Sequence, residues 1–122
     1  MYKLDNNERK AIQLFVNLGM PKNLAKTLLY VSQIDECRCA DVEQSTDMRQ
    51  PEVSVAMQEL RRRGWVKKQN QKQEGKGRPV HLYKPTTQLS EILTLFEQEK
   101  ITEIEKVKND ISSLKNILRD KE

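Results

Sequence analysis

The first third of the chain places apolar residues at the three- and four-residue spacing of amphipathic helices. Residues 5–7 offer capping side chains for a first helix, and Gly19 is expected to end it. Pro21 suits the first position of a second helix. The predicted buried stripes of these two helices are Ala11, Leu14, Phe15 and Leu18, and then Leu24, Ala25, Leu28 and Val31.

Two more helices are predicted in the middle of the chain, separated by a tight turn. After a short extended piece at residues 37–39, a short helix is expected at residues 40–45. A turn at residues 47–49 leads into a longer helix at about residues 50–63, which Gly64 ends. The predicted buried side of this longer helix consists of Val53, Ala56, Met57 and Leu60.

The pattern after Gly64 changes to that of a two-stranded hairpin. Residues 65–73 and 78–84 are the predicted strands, residues 74–77 the turn, and Pro85 the end. The strands are rich in Lys and Gln, which suits contact with a polyanion better than burial in a core. Paired helices followed by a basic hairpin predict a winged helix-turn-helix, a mainly α fold with a small β-hairpin (α+β).

The rest of the chain reads as one helix of about 33 residues, roughly 50 Å long. Its second half has apolar residues alternately three and four positions apart, the heptad spacing of a coiled coil, and the register slips around Lys100. Dimerisation through this helix is expected; packing back on its own domain is the alternative, and the spacing leaves parallel and antiparallel pairing open. The predicted dimerisation residues are Leu89, Ile92, Phe96, Ile104, Val107, Ile111, Leu114 and Leu118.

The composition fits one small domain with one appended element. Of 122 residues, 36% are hydrophobic and 33% are charged, so the core is small and is expected to need a partner subunit. We divide the chain into a winged helix-turn-helix domain at residues 1–86 and a C-terminal helix at residues 87–122. No apolar run approaches the roughly 20 residues of a membrane span, and the polar N-terminus favours a cytoplasmic protein.

Positive charge is concentrated in one segment. Residues 61–84 carry nine Lys or Arg against one Glu, whereas residues 1–60 and 85–122 each have a net charge of −2. Such concentration is the electrostatic footprint expected of a nucleic-acid binder. A solvated face without a partner is the alternative interpretation.

The outward face of the helix at residues 50–63 is the candidate reader of base edges. Gln can pair with adenine, Glu can accept from cytosine, and Val can touch a thymine methyl group. The predicted recognition residues are Gln50, Glu52, Ser54, Val55, Gln58, Arg61 and Arg62. The residues expected to contact the DNA backbone or minor groove from the wing and its flanks are Arg49, Lys72, Lys76 and Arg78.

Two sets of residues carry a resemblance to known families. The run at residues 50–54, followed by Leu60, Gly64, Val66 and residues 77–80, resembles the ArsR/MarR-type winged-helix regulators. The opening Leu18-Gly19-Met20-Pro21, with Ala25 and Tyr30, is similar to that of TrmB-like archaeal regulators. Together they cover about residues 12–85. The resemblance implies a homodimeric transcriptional regulator that binds double-stranded DNA at a pseudo-palindromic operator. Whether it also binds an effector ligand stays open.

The two cysteines stand where ArsR-type metal sensors often carry a cysteine pair. When Asp41 is aligned with the Asp of that motif, Cys37 and Cys39 fall one position too early, so the metal role is not carried over. Two thiols also fall short of a four-ligand zinc site. A reduced structural pair is preferred, and a redox or thiophilic-metal sensor remains the alternative. No cofactor is expected.

Catalysis is not expected from this sequence. Its one histidine, His81, lies on a predicted wing strand, and neither a catalytic triad pattern nor a phosphate-binding glycine loop is present. Two non-enzymatic rivals to a DNA-binding regulator remain. One is a protein-interaction module whose long helix docks a partner coiled coil, and the other is a nonspecific duplex or RNA binder.

Overall fold

The computed structural model describes residues 5–71 and 80–121, and it divides into two compact units with the boundary after Leu89. The described part of the first unit holds four helices and a two-stranded hairpin, and the second unit is one long helix. This is the mainly α fold with a small hairpin that the sequence predicts. The helices are α1 (Asn6–Asn17), α2 (Lys22–Ser32), α3 (Cys39–Thr46), α4 (Gln50–Arg62) and α5 (Leu89–Leu118), and the strands are β1 (Val66–Gln71) and β2 (Val80–Pro85).

Helix α1 begins where expected, and its predicted buried stripe is confirmed in part. The Asp5 carboxylate accepts a hydrogen bond from the Glu8 backbone N–H at 2.7 Å and so caps the helix. The predicted stripe is wrong at two positions, because Leu14 and Leu18 are 61% and 50% exposed. The prediction is confirmed at Phe15, which is buried, and Ala11 is half-buried; Ile12, which the stripe did not include, is buried as well.

Helix α2 lies at the centre of the first unit. It packs against α1, α3 and α4, and also contacts β2. Its predicted stripe is confirmed, and three more of its residues are buried because it has neighbours on several sides. Its buried residues are Leu24, Ala25, Thr27, Leu28, Leu29, Tyr30 and Val31.

Helices α3 and α4 are joined by the expected tight turn. Asp47 adopts the left-handed conformation with φ 55°. The next residue, Met48, is buried, and its Sδ lies 3.5 Å from Thr27 Oγ1. Gly64, with φ 78°, turns the chain after α4 in a conformation that favours glycine. The predicted buried side of α4 is confirmed at Val53, Ala56, Met57 and Leu60.

Strands β1 and β2 pair antiparallel, with Val66 opposite Pro85 and Gln71 opposite Val80. Cys37 adds a bridge to this hairpin, since its N–H donates to the Tyr83 carbonyl at 3.0 Å and its carbonyl accepts from the Tyr83 N–H at 2.8 Å. The expected extended piece is therefore present at Cys37 but ends before Cys39, which already belongs to α3. The predicted hairpin turn at residues 74–77 lies outside the described residues.

Helix α5 is continuous over 30 residues, about 45 Å. Ile92 and Phe96, two of the predicted dimerisation residues, are buried within the single chain at 1% and 7% exposure. Every residue from Ile101 to Lys121 is exposed. Across residues 5–71 and 80–121, no helix combines the length and apolarity required to cross a membrane.

Candidate nucleic-acid interface

Helix α4 presents one polar face to solvent because its apolar stripe is turned inward. Of the seven predicted recognition residues, Ser54 is half-buried and the other six are exposed. Val55 is 66% exposed, although it is apolar and sits in the middle of the helix. The exposed side of α4 thus combines amide, aliphatic and guanidinium groups: Gln50, Val55, Gln58, Arg61 and Arg62.

Glu52 holds the start of α4 in place. One carboxylate oxygen accepts from the Arg49 backbone N–H at 2.9 Å, and the other accepts from the Asn23 side-chain amide at 3.0 Å. The hydrogen bond from Arg49 and then the one from Asn23 lower the pKa of Glu52. Glu52 therefore caps α4 and ties it to α2, which gives this carboxylate a structural role besides the cytosine contact expected from the sequence.

Helix α3 begins with the same arrangement. The Arg38 backbone N–H donates to the Asp41 carboxylate at 2.8 Å, as the Arg49 N–H does to Glu52. A carboxylate in the third position of a helix satisfies an N–H that the helix leaves unpaired, and its charge is favourable at that end. Both helices of the helix-turn-helix thus begin at a defined residue.

Glu59 organises the arginines at the end of α4. Arg62 Nε donates to Glu59 Oε2 at 2.8 Å, and Arg63 Nε donates to Glu59 Oε1 at 3.0 Å. These hydrogen bonds, with Arg62 the larger cause, lower the pKa of Glu59 to about 2. Arg63 also lies over the Trp65 ring, 5.1 Å from its centroid. Glu59 is not among the residues predicted from the sequence, although its spacing of three and four residues from Arg62 and Arg63 is the signal for such pairs.

A basic cleft lies between the second half of α4 and the start of β1. Its volume is about 560 Å³, and its lining residues are Gln58, Arg61, Arg62, Val66, Lys67 and Lys68. Four of these carry positive charge and none carries negative charge. Within the described residues Arg61 forms no ion pair, and Lys67 and Lys68 are exposed. We call this feature the basic cleft; its geometry and charge suit phosphate groups.

The remaining predicted contacts fall in several places. Arg49 is exposed directly before α4. Lys72, Lys76 and Arg78 lie outside the described residues. His81 is exposed on β2, where its Nδ1 lies 2.7 Å from the side-chain oxygen of Asn70 on the opposite strand. Lys67 and Lys68 were counted in the charge of the basic segment but were not singled out as contacts, although only four residues separate them from the end of α4.

Both cysteines are free thiols in protected surroundings. Burial raises the pKa of Cys37 to about 12, and burial is also the main cause of the raised pKa of Cys39. Both thiols are therefore protonated at neutral pH, whereas nucleophilic attack and metal binding require the thiolate. In the part of the chain that the structure describes, no group of three or more His, Cys, Asp or Glu could hold a metal ion. The burial and the raised pKa values of the two thiols favour the structural interpretation of the pair.

The helix pair α3–α4 and the hairpin after it form a winged helix-turn-helix. Similar solved structures come from regulatory proteins. A chain described as a possible transcriptional regulator from Methanosarcina mazei Go1 matches with a TM-score of 0.66 and 11% identity, over 85% of this chain and 86% of its own length. A MarR-family transcriptional regulator from Silicibacter pomeroyi matches with a TM-score of 0.53 and 14% identity, over 94% of this chain and 85% of its own.

The archaeal chromatin protein TrmBL2, whose structure is described as showing a novel mode of DNA binding, matches with a TM-score of 0.61 and 16% identity. The match covers 93% of this chain but 43% of TrmBL2, so this chain spans less than half the length of that protein. Neither a family model nor a curated protein sequence matches this chain. At these identities the likeness is one of fold: the chain has a winged-helix fold.

Proposed function

We propose that this chain is a homodimeric transcriptional regulator that binds double-stranded DNA sequence-specifically at a pseudo-palindromic operator. The observation that carries the proposal is the placement of the basic cleft beside the exposed face of α4. A helix that offers amide and aliphatic groups, flanked by a cleft lined with cations, matches the requirements of a base-reading helix and its phosphate contacts. The regulators and the DNA-binding chromatin protein among the similar structures support the same function.

In this proposal α4 enters the major groove, and different residues contact the bases and the phosphates. Gln50 and Gln58 hydrogen-bond base edges, and Val55 contacts a thymine methyl group. Arg61, Lys67 and Lys68 contact phosphates of one strand from the basic cleft, and Arg62 joins them from its pair with Glu59. The predicted wing residues Lys72, Lys76 and Arg78 extend the phosphate contacts.

Glu52 has a structural role within this proposal. It stays negatively charged, because the hydrogen bonds that it accepts lower its pKa. Here both carboxylate oxygens already accept hydrogen bonds, from Arg49 and Asn23. Glu52 then acts as a positioning residue that fixes the first turn of α4, where the base contacts of a recognition helix concentrate.

The dimer is proposed to form through the exposed apolar face of α5. Ile104, Val107, Ile111, Leu114 and Leu118 are 47–56% exposed, which is unusual for large apolar side chains repeated at heptad spacing. A second copy would cover them. Two copies related by a two-fold axis bind two half-sites, which is why we expect an operator with inverted symmetry.

The test is a selection from random duplex DNA with purified, reduced protein at about 0.15 M salt, followed by sequencing. An enriched inverted repeat with half-sites about one helical turn apart is the expected result. Gln58→Ala should change the enriched sequence, whereas the matched control Gln98→Ala, on the exposed surface of α5, should leave it unchanged. Binding without enrichment, lost as salt rises, would instead identify a nonspecific duplex binder.

A protein-docking module would show neither sequence enrichment nor a steep dependence of duplex affinity on salt. Its α5 would be expected to bind a different chain more tightly than a second copy of itself. Sedimentation equilibrium of the purified protein addresses that alternative directly, because a module of this kind would remain monomeric.

A further inference from the structure

We propose that α5 pairs with α5 of a second copy in parallel orientation and in register, along the face from Ile104 to Leu118. This inference rests on the proposed homodimer and specifies its geometry. The heptad spacing alone allows either orientation. The charged residues that flank the apolar face decide between them.

The apolar face has the residue types of a two-stranded coiled coil. Taking Ile104 as position a of the heptad, positions a are Ile104, Ile111 and Leu118, and positions d are Val107 and Leu114. Within parallel coiled coils, a β-branched residue at position a with Leu at position d favours two strands over three or four. All five are exposed, and Ile101 and Ile117, 41% and 69% exposed, widen the face at its two ends.

The two flanks of this face carry opposite charges. Position g is acidic at Glu103 and Asp110, and position e is basic at Lys108 and Lys115. All four residues are exposed. In the described residues, Lys100 lies 3.2 Å from one oxygen of Glu103, and no ion pair is formed by Asp110, Lys108 or Lys115.

Parallel pairing brings the two flanks together favourably. In a parallel dimer, position g of one helix faces position e of the next heptad on the other helix. Glu103 therefore faces Lys108 of the second copy, and Asp110 faces Lys115 of the second copy. Because the two-fold axis repeats each contact, the dimer has four attractive contacts and no repulsive one among these residues.

Antiparallel pairing brings like charges together instead, because e then faces e and g faces g. With Ile104 opposite Leu114 of the second copy, Asp110 meets Asp110 and Lys108 meets Lys108. Sliding one helix by a heptad in either direction places Glu103 opposite Asp110, or Lys108 opposite Lys115. Each of these alignments places like charges opposite each other, and none creates an attractive pair at these positions.

Orientation has a consequence for the winged-helix units. Each α5 begins at Leu89, so parallel pairing puts the two Leu89 residues at the same end of the coiled coil. In the antiparallel alignment with Ile104 opposite Leu114, the two Leu89 residues would be about 60 Å apart along the axis, from 1.5 Å per residue.

Charge reversal tests the orientation in the full chain. Lys108→Glu with Lys115→Glu makes every facing pair acidic in a parallel dimer, and should raise the dimer dissociation constant about tenfold or more, measured by sedimentation equilibrium at 0.1 M salt. Adding Glu103→Lys and Asp110→Lys restores opposite charges, and should return the constant to near its original value. The control Lys106→Glu with Arg119→Glu makes the same charge change at outward-facing positions and should have little effect.

An antiparallel dimer predicts a different pattern. The double reversal would replace Lys facing Lys by Glu facing Glu, so the dissociation constant would stay nearly unchanged. That result, or failure of the fourfold variant to restore dimerisation, would overturn the parallel assignment while leaving the homodimer intact. A wild-type chain that is monomeric throughout would reject the homodimer itself.

Disulfide cross-linking provides a second test of the helix orientation, one that does not depend on charge. Leu114→Cys places two thiols side by side only when the helices are parallel and in register, so oxidised glutathione should cross-link that variant. Ser113→Cys, which faces outward, is the matched control and should not cross-link. Absence of a cross-link in a dimeric Leu114→Cys variant would contradict the proposal.

Discussion

Replacing Lys67 and Lys68 by Gln tests whether the basic cleft holds phosphates. Both side chains are exposed, and they line the cleft beside Arg61 and Arg62. Each phosphate contact contributes a slope of about −0.9 to the dependence of log K on log salt concentration. A dimer has four such lysines, so the double substitution should reduce the slope by about 3.6 if all four contact phosphates.

This change in slope is large enough to measure. Between 50 and 200 mM salt, the wild-type protein should lose roughly 150-fold more affinity than the variant. The assay is fluorescence anisotropy on the selected operator and on a scrambled duplex, with both affinities measured across that range. Because phosphate contacts carry no direct sequence information, the variant should weaken binding to both duplexes about equally.

A matched control separates local contact from the loss of total charge. Lys10→Gln with Lys106→Gln removes two positive charges from exposed positions on α1 and α5. Its salt slope should remain close to that of the wild type. If the variant of Lys67 and Lys68 has the same slope as this control, the cleft does not hold phosphates and the proposed docking of α4 is incorrect.

Three further outcomes follow from the contacts of individual residues. The pKa of Glu59 is lowered from 4.5 to about 2 in the folded state, so its ion pairs stabilise the fold above about pH 4.5 and cease to do so as pH falls toward 2. Glu59→Gln should therefore lower the melting temperature at pH 6 but not at pH 2. Leu60→Ala should reduce the free energy of unfolding by about 2–5 kcal/mol in urea titrations, because Leu60 is fully buried, whereas the half-exposed Leu95 should tolerate the same change; equal losses would contradict the packing described. Cys37 should react with iodoacetamide at pH 7.5 far more slowly than the same thiol in urea, because burial raises its pKa; equal rates would reopen the sensor interpretation.

The sequence best predicted the buried faces of helices whose apolar spacing is compatible with one buried face only. The buried stripe of α4 matched at every predicted position because polar residues occupy all its other faces apart from Val55. In α1, Ile12 competes with Leu14 and Leu18 at similar spacing, and the choice depends on how the helix packs in the folded unit rather than on its own pattern. Ile92 and Phe96 show the same limit, since spacing alone cannot distinguish a residue buried in the chain from one available to a partner.

The sequence predicted which residues lie on the exposed face of α4, but not which residues they contact. Glu52 was grouped with the other recognition residues because it lies on the same face of α4. Its hydrogen bond with Asn23 joins residues 29 positions apart, so the spacing within α4 gives no sign of it. Such a contact depends on how α2 and α4 cross. Lys67 and Lys68 were assigned to a strand, and only the position of β1 beside α4 brings them to the arginines.

The way α4 is anchored has a consequence for how such a protein acquires a new target. Its inward residues and its cap hold the helix in place, while Gln50, Val55 and Gln58 make no contribution to the packed core. Exchanging these three for other exposed residues should therefore leave folding intact and, under the proposed function, redirect the protein to a different DNA sequence. A duplicated copy of the chain could diverge in specificity through a few substitutions while its scaffold stays constant.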